Sequence, residues 1–138
     1  MTSWLKQKKK THLWLQQHKI YLVYKNLNVN QLTSDFVLTN LYLKREILSW
    51  MVCKVEHNNQ TDFHVLLLYK KKIGVLKPKF FDLEFYGVYY KAIVKPVGST
   101  KKLMLKLSYK KGSDFIISSN LINCLKKAQQ EETWWIKK

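Results

Sequence analysis

The order of hydrophobic and turn-forming segments predicts an α+β domain, with an antiparallel or mixed central sheet of about five strands and helices packed on it. Short β-branched and aromatic runs alternate with segments that have helical periodicity. The chain has 138 residues, the size of one domain, and 46% of them are hydrophobic, which is enough for a buried core. We therefore expect an α+β domain over residues 19–117, a basic amphipathic arm at 1–18, and a C-terminal helix with a Trp/Lys tail at 118–138.

The first half of this domain has the pattern strand, helix, strand, strand. Residues 19–25 are β-branched and aromatic and predict the first strand. Thr33 or Ser34 can begin a helix, because a hydroxyl at that position accepts a hydrogen bond from a free backbone N–H. Residues 47–56 and 62–69 predict two further strands, and the continuous apolar centre of the second indicates burial on both of its faces.

The second half begins with a basic loop at residues 70–79 and a short turn at 80–83. A strand is expected at 86–95, where aromatic and β-branched residues recur. Pro96 ends that strand, because proline has no N–H group to offer to a sheet.

Two helices flank one more strand toward the C-terminus. Ser99 or Thr100 can cap a helix that extends to about Tyr109. A short strand is expected at 114–117, and a narrow apolar stripe predicts a final helix at 120–132, capped by a preceding serine.

The charge of the chain is strongly one-sided. Lysine and arginine number 25 against 9 acidic residues, a formal net charge of +16. Charge of this size opposes compaction unless a polyanion neutralises it, and the natural polyanions are nucleic acids and anionic membranes. Arg45 is the only arginine. Because lysine makes poor bidentate contacts with guanine, this composition favours binding to the phosphate backbone over readout of bases.

Several other classes of protein are disfavoured by the composition. The longest apolar runs, such as 65–69, are far too short to span a bilayer, and no secretory signal is visible. Cys53 and Cys124 lie in apolar segments, and no Cys-x-x-Cys pair indicates a zinc site. Two reduced, buried thiols are therefore expected.

One stretch carries residues suited to metal chemistry. Glu56, His57, Asp62 and His64 fall within nine positions on a predicted hairpin. Asp62 and His64 are two residues apart and share one face of a strand, and Glu56 on the neighbouring strand could face them. Carboxylates and imidazoles in this arrangement suit a divalent metal. The plainer alternative is a solvated hairpin with one histidine hydrogen-bonded to a backbone group.

The order of several short motifs resembles the replication-initiator (Rep) endonuclease domain of small circular DNA replicons, a member of the HUH superfamily. YLVYKN at 21–26 occupies the place of the family's first strand motif, and DFHVLLLY at 62–69 that of its His-hydrophobic-His strand. FFDL at 80–83 matches a conserved turn, and SYKKGSDF at 108–115 lies where the tyrosine motif ends. The resemblance covers residues 19–117 and implies a ferredoxin-like or RRM-like topology.

The resemblance also implies a metal site, which this chain alters. Asp62 replaces the first metal-binding histidine of the family, and His64 keeps the second. Either Glu56 or Val55 takes the position of the metal-binding glutamate, depending on one gap in the loop. If Glu56, Asp62 and His64 do meet, they could hold Mg²⁺ or Mn²⁺.

The nucleophile implied by the family is altered as well. Its position falls on Leu107, and Tyr109 lies about 200° further around a helix, so that it points away from the metal. Lys110 matches the lysine of the motif, while Lys111 replaces its acid. A leucine cannot attack a phosphodiester, so we expect a degenerate site with no catalysis and no cofactor. In the alternative, Tyr109 nicks single-stranded DNA with a metal bound by Glu56, Asp62 and His64.

The basic residues remain although the catalytic positions are substituted. Residues 70–111 contain twelve lysines and only two acids, Asp82 and Glu84. Soluble surfaces normally mix both signs, so such an excess indicates a nucleic-acid-binding face. Tyr86, Tyr89 and Tyr90 could stack on bases, although on a strand at least one of them should be core. The lysines expected to bind nucleic acid are Lys6, Lys8, Lys9, Lys10, Lys70, Lys71, Lys72, Lys77, Lys79, Lys101, Lys102, Lys106, Lys110 and Lys111.

Together these features predict a non-catalytic RNA-binding structural protein. The expected setting is an organellar ribosome, above all a mitochondrial one, with rRNA and neighbouring ribonucleoprotein subunits as partners. The enrichment in Lys, Asn, Ile, Leu, Phe and Tyr indicates an AT-rich coding genome. We expect an organelle-encoded protein located in the mitochondrial or another organellar matrix. A third hypothesis is a membrane-surface or assembly role with Trp4, Trp14, Trp134 and Trp135 as anchors.

Overall fold

The computed structural model describes residues 18–27, 32–74, 79–110 and 113–137, so the predicted arm at 1–18 lies, except for its last residue, outside the described part of the chain. The chain forms a five-stranded antiparallel sheet, a separate two-stranded hairpin, and three helices over these residues. In chain order the elements are β1 Lys19–Leu27, α1 Ser34–Lys44, β2 Ser49–His57, β3 Gln60–Leu68, β4 Leu83–Phe85, β5 Val88–Tyr90, β6 Ile93–Lys95, α2 Thr100–Ser108, β7 Ser113–Ile117 and α3 Ser119–Lys137.

The five-stranded sheet has the order β6-β1-β3-β2-β7, and each neighbouring pair is antiparallel. The α+β class with an antiparallel sheet and packed helices is therefore confirmed. Strand β3 lies at the centre, and residues 63–67 are buried without interruption. This confirms the burial on both faces that the apolar run predicts.

Each face of the sheet packs against different helices. Helix α1 covers one face, which we call the α1 face, where Val37 and Leu41 meet inward residues such as Phe63 and Val65. Helices α2 and α3 cover the other, the α2/α3 face, through residues that include Leu107, Leu121 and Leu125. Alternation along the strands assigns residues to these two layers. The C-terminal helix thus contributes to the same apolar cluster as the sheet.

The helix starts are set by hydroxyl side chains, as the sequence predicts. The Thr33 side chain accepts a hydrogen bond from the Phe36 backbone N–H at 3.1 Å, which caps α1. The Ser99 side chain accepts one from the Lys102 N–H at 3.2 Å, which caps α2. In each case the first of the two candidate residues is the cap.

Two boundaries differ from the sequence prediction. The single strand expected at 86–95 is wrong: Tyr86–Gly87 form the turn of the β4–β5 hairpin, and residues 91–92 separate β5 from the short strand β6. Both turn residues have positive φ, at 50° and 78°, which returns the chain on itself at once. The last helix continues to Lys137, past the expected end near residue 132, because TWWIKK contains no helix-breaking glycine or proline.

None of the helices in the described ranges is both long and apolar enough to cross a membrane.

Candidate nucleic-acid interface

The site is built around His64, a buried imidazole at the centre of the sheet. His64 lies on β3 directly opposite Val23 of β1 and Cys53 of β2, and all three side chains project onto the α2/α3 face. A buried polar ring on a central strand requires a hydrogen-bond partner to offset its lost hydration. That partner comes from β1.

The partner of His64 is the hydroxyl of Tyr21, 2.5 Å from the ring Nδ1. Burial and the neighbouring Cys53 raise the pKa of Tyr21 to about 12, so the hydroxyl keeps its proton near neutral pH. With that hydroxyl donating, Nδ1 of His64 accepts and the ring proton is carried on Nε2. The pair joins the two neighbouring strands and fixes the orientation of the imidazole.

Lysines from two separate elements surround this pair. Lys95, on β6, lies opposite Tyr21 in the sheet, and its Nζ is 5.8 Å from the centre of the Tyr21 ring. Lys106 belongs to the last turn of α2, and Lys110 follows the end of that helix. We call Tyr21, His64, Lys95, Lys106 and Lys110 the His64 cluster.

Electrostatics in this cluster oppose a charge on the imidazole. Burial and then Lys110 lower the pKa of His64 to about 4, with further lowering from Lys95 and Lys106, while Asp62 acts in the opposite direction. His64 is therefore neutral at physiological pH. The positive potential that the lysines place here is available to an external anion.

Glu56 does not join Asp62. Across the β2–β3 pair Val55 lies opposite Asp62, while Glu56 lies opposite Thr61. Because successive side chains of a strand point to opposite faces, Glu56 projects onto the α1 face, where its carboxylate is 3.4 Å from the Lys54 Nζ. Val55, and not Glu56, therefore shares the sheet face of Asp62 and His64.

The expectation that Glu56, Asp62 and His64 could face one another is consequently wrong. Asp62 instead accepts from His57, whose Nε2 is 2.9 Å from its Oδ2. In the described part of the chain no group of three His, Cys, Asp or Glu side chains could hold a metal ion. The alternative of a solvated hairpin suits the exposed His57 but not His64, whose partner is a side chain rather than a backbone group.

The two candidate positions for a nucleophile, Leu107 and Tyr109, differ in burial. Leu107 is 0% exposed within the apolar cluster of the α2/α3 face, and its carbonyl accepts from the Cys53 thiol at 3.4 Å. Tyr109 is 56% exposed at the C-terminal cap of α2. Leu107 therefore packs against the sheet, while Tyr109 at the end of the same helix lies largely in solvent.

Arg45 contacts the backbone of the lysine-rich segment that follows β3. Its Nη1 donates to the Ile73 carbonyl at 2.5 Å and its Nη2 to the Lys72 carbonyl at 2.9 Å, and its guanidinium lies 5.1 Å from the centre of the Tyr69 ring. The only arginine of the chain therefore anchors the backbone at residues 72–73, and lysines 70–72 are exposed beside it.

A second set of lysines lies at the same end of the sheet as this loop. His18, just before β1, has its Nδ1 3.2 Å from the Lys70 carbonyl and lines one groove together with Lys101 of α2. Lys102 is exposed beside it, whereas Lys101 forms an ion pair with Glu131 of α3. Together with the exposed lysines of the loop, these residues form a set that we call the loop-end lysines: Lys70, Lys71, Lys72, Lys101 and Lys102.

The other predicted lysines divide into two groups. Lys79 is exposed in the turn before β4, apart from both sets. The remainder lie outside the described residues, namely Lys6, Lys8, Lys9, Lys10, Lys77 and Lys111.

Three functional residues were missed by sequence reasoning. Lys95 and Tyr21 meet because β6 pairs with β1, a contact between distant segments that no local pattern specifies. The role of Arg45 depends on the loop 27 positions later folding back onto it. A signal did exist for Tyr21, since a buried histidine requires a partner and a tyrosine on a predicted neighbouring strand can supply one.

In comparisons with known proteins, no protein-family model matches the chain and no curated protein matches it.

Proposed function

We propose that this protein binds nucleic acid, RNA in particular, through its lysine-rich surfaces and without cleaving it. One observation carries the proposal: Lys95, Lys106 and Lys110 converge from two elements on a single neutral imidazole. These ammonium groups leave positive potential at the site that Asp62 offsets only in part, and such potential attracts an external anion. Phosphate groups of a nucleic-acid backbone are anions that lysine binds as a point charge.

The absence of cleavage is proposed on the geometry of the same site. Transfer of a phosphoryl group needs an aligned nucleophile and a group that stabilises charge. Leu107 faces the sheet where the family's nucleophile would stand, and Val55 stands where its metal-binding glutamate would be. Tyr109, the remaining nucleophile candidate, projects outward from the end of α2.

The proposal of a particular RNA and complex is based on composition. Lysine dominance, with Arg45 the only arginine, favours phosphate contacts over base readout, as expected of a protein that coats a structured RNA. We propose rRNA in an organellar ribosome, with neighbouring subunits as further partners, as the most specific form of this function. Lysines that contact phosphate there would be neutralised by the RNA.

Binding is tested by titrating the full chain into fluorescein-labelled RNA and reading anisotropy over a range of salt concentrations. The association constant is expected to fall steeply and linearly on a log–log plot, because each phosphate contact releases counterions. Anionic vesicles titrated in parallel test the membrane-surface hypothesis. Flat salt dependence toward RNA, with tighter binding to vesicles, would contradict the proposal.

Cleavage is tested separately with a labelled single-stranded DNA hairpin in the presence of Mn²⁺. We expect no product from the wild-type chain, and no difference between it and Tyr109→Phe. Cleavage that the Tyr109→Phe change abolishes would establish the initiator alternative and overturn the non-catalytic one.

A further inference from the structure

The β4–β5 hairpin exposes two aromatic rings that its own fold does not use. Tyr86 is 86% exposed and Tyr89 is 68% exposed, whereas Tyr90 is only 8% exposed and joins the core of the α1 face. The expectation that at least one of these tyrosines belongs to the core is thus confirmed for Tyr90. The other two require a different explanation, since large exposed rings contribute little to folding.

The position of Tyr86 is unfavourable for a tyrosine. Within the described residues, two tight hairpin turns have central residues that both have positive φ: Asn58–Asn59, at 47° and 62°, and Tyr86–Gly87, at 50° and 78°. Asparagine and glycine adopt this left-handed conformation readily, which is why Asn-Gly is the preferred pair in such turns. A bulky side chain is disfavoured there, so Tyr86 is retained at a cost to stability.

The hairpin beneath this turn is well anchored. Leu83 and Tyr90 are paired across the two strands and buried, and Phe85 packs edge-on against Phe36 of α1 with ring centres 4.7 Å apart. The Tyr86 ring meets the edge of Phe85 at 4.5 Å, and most of its surface remains open. The hairpin is therefore anchored to the core, while the Tyr86 ring at its turn remains largely exposed to solvent.

We propose that Tyr86 and Tyr89 stack on unpaired bases of single-stranded nucleic acid, which rests on the function proposed above and adds to it a preference for unpaired strands. Base–aromatic stacking is available only where bases are not enclosed in a duplex. The exposed lysines nearest in sequence, Lys79 before the hairpin and Lys91 after it, supply positive charge for the backbone of such a strand. Glu84, exposed and opposite Tyr89, makes Tyr86 the stronger platform of the two.

The test compares a single-stranded RNA with a duplex of the same length, using the full chain and its Tyr86→Asn variant. The variant is expected to lose about tenfold in affinity for the single strand and to change little toward the duplex. Its thermal unfolding midpoint should rise, because asparagine suits the left-handed turn. Tyr86→Phe, which keeps the ring, is the matched control and should bind as the wild type does.

Further readouts separate stacking from other roles of the hairpin. Tyr89→Ala leaves the turn intact and should show the same selective loss, and 2-aminopurine in the single strand should be quenched by the wild type but less by Tyr86→Asn. Equal losses on single strand and duplex, or none on either, would overturn the stacking proposal while leaving nucleic-acid binding in place. Unchanged RNA affinity with loss of self-association in sedimentation would assign the hairpin to contacts between copies instead. If the wild type binds neither RNA at any salt concentration, both proposals fail.

Discussion

The two faces of the sheet are built from alternate residues of the same strands, yet they differ sharply in polarity. The α1 face is apolar at its centre, with Lys54 and Glu56 toward the end of β2, and the hydroxyl of its Tyr24 donates to the Phe81 carbonyl at 2.6 Å. The α2/α3 face is apolar near Met104 and Leu121, but it places Tyr21 and His64 beneath three lysines. One face thus provides packing, and the other combines packing with a site of positive potential.

This difference indicates that stability and binding are separable along a single strand. On β3, Phe63 and Val65 point to the α1 face, while His64 points to the other. Changes to the first two should affect the free energy of unfolding, whereas changes around His64 should affect affinity for a polyanion and the response to pH. Four predictions test this division.

The largest effect is expected from Phe63→Ala on the α1 face. Removing a fully buried aromatic ring costs about 3–5 kcal/mol of unfolding free energy, through lost apolar burial and the cavity that remains. Urea denaturation measures this change, and Phe63→Leu is the control, which should lose much less. The folded fraction should keep the salt dependence of its RNA binding; a changed slope would show that the faces are not separable.

The next largest effect is expected when Lys95, Lys106 and Lys110 are all replaced by alanine. If each contacts one phosphate of a single strand, the slope of log affinity against log salt should fall by about 2, and affinity at moderate salt by about tenfold to 100-fold. Anisotropy titrations measure both. A matched variant lacking Lys44, Lys126 and Lys127, which lie on α1 and α3, carries the same net charge and should change the slope less. Equal losses of affinity and slope in the two variants would show that net charge, and not a defined site, determines binding.

A smaller effect is expected from pH. The folded-state pKa of His64 is about 4, below its usual 6.5, so between these values the unfolded chain binds the proton more readily. Stability should therefore fall as pH is lowered from 6.5 toward 4, by about 1–2 kcal/mol once solvent screening near the surface is allowed for. His64→Gln keeps an acceptor for Tyr21 but does not titrate, so its unfolding midpoint should vary less over this range. Parallel pH profiles for the two proteins would contradict the assignment.

The smallest effect is expected from Tyr21→Phe, which leaves Nδ1 of His64 without its hydroxyl. A lost buried hydrogen bond costs about 1 kcal/mol, measurable by urea denaturation. Tyr24→Phe is the corresponding change on the α1 face, where the Phe81 carbonyl loses its donor. Similar losses of unfolding free energy from the two changes would show that each hydroxyl contributes one local hydrogen bond. A loss for Tyr21→Phe as large as that for Phe63→Ala would show that Tyr21 stabilises more than its own hydrogen bond.

The sequence predicts the strands and helix caps well because these depend on local patterns. The β-branched run at 19–25 and the hydroxyl of Ser99 act within a few residues of themselves. The break of the strand at Tyr86 was missed, because a tyrosine gives no sign of a left-handed turn and the usual signal is asparagine or aspartate before glycine.

The candidate site was predictable only in part. The motif drew attention to His64, whereas Glu56 was misplaced because a one-residue change in register moves a side chain to the other face. The turn at Asn58–Asn59 sets that register, and its length was not evident beforehand. The convergence of Lys95 on Tyr21 depends on pairing across 74 positions, which no local pattern contains. The RNA, the organelle and the Rep resemblance stay predictions.

The strands of the sheet shorten abruptly toward its margins. The three inner strands have nine residues each, whereas β6 has three and β7 has five. On the β6 side the margin carries Lys95 and is followed by Pro96, and β1 behind it has an irregular register between Tyr24 and Leu27. Short, charged and irregular margins offer few aligned N–H and C=O groups for a foreign strand to extend. The lysine proposed to contact a polyanion thereby also discourages the edge-to-edge aggregation to which an antiparallel sheet is prone.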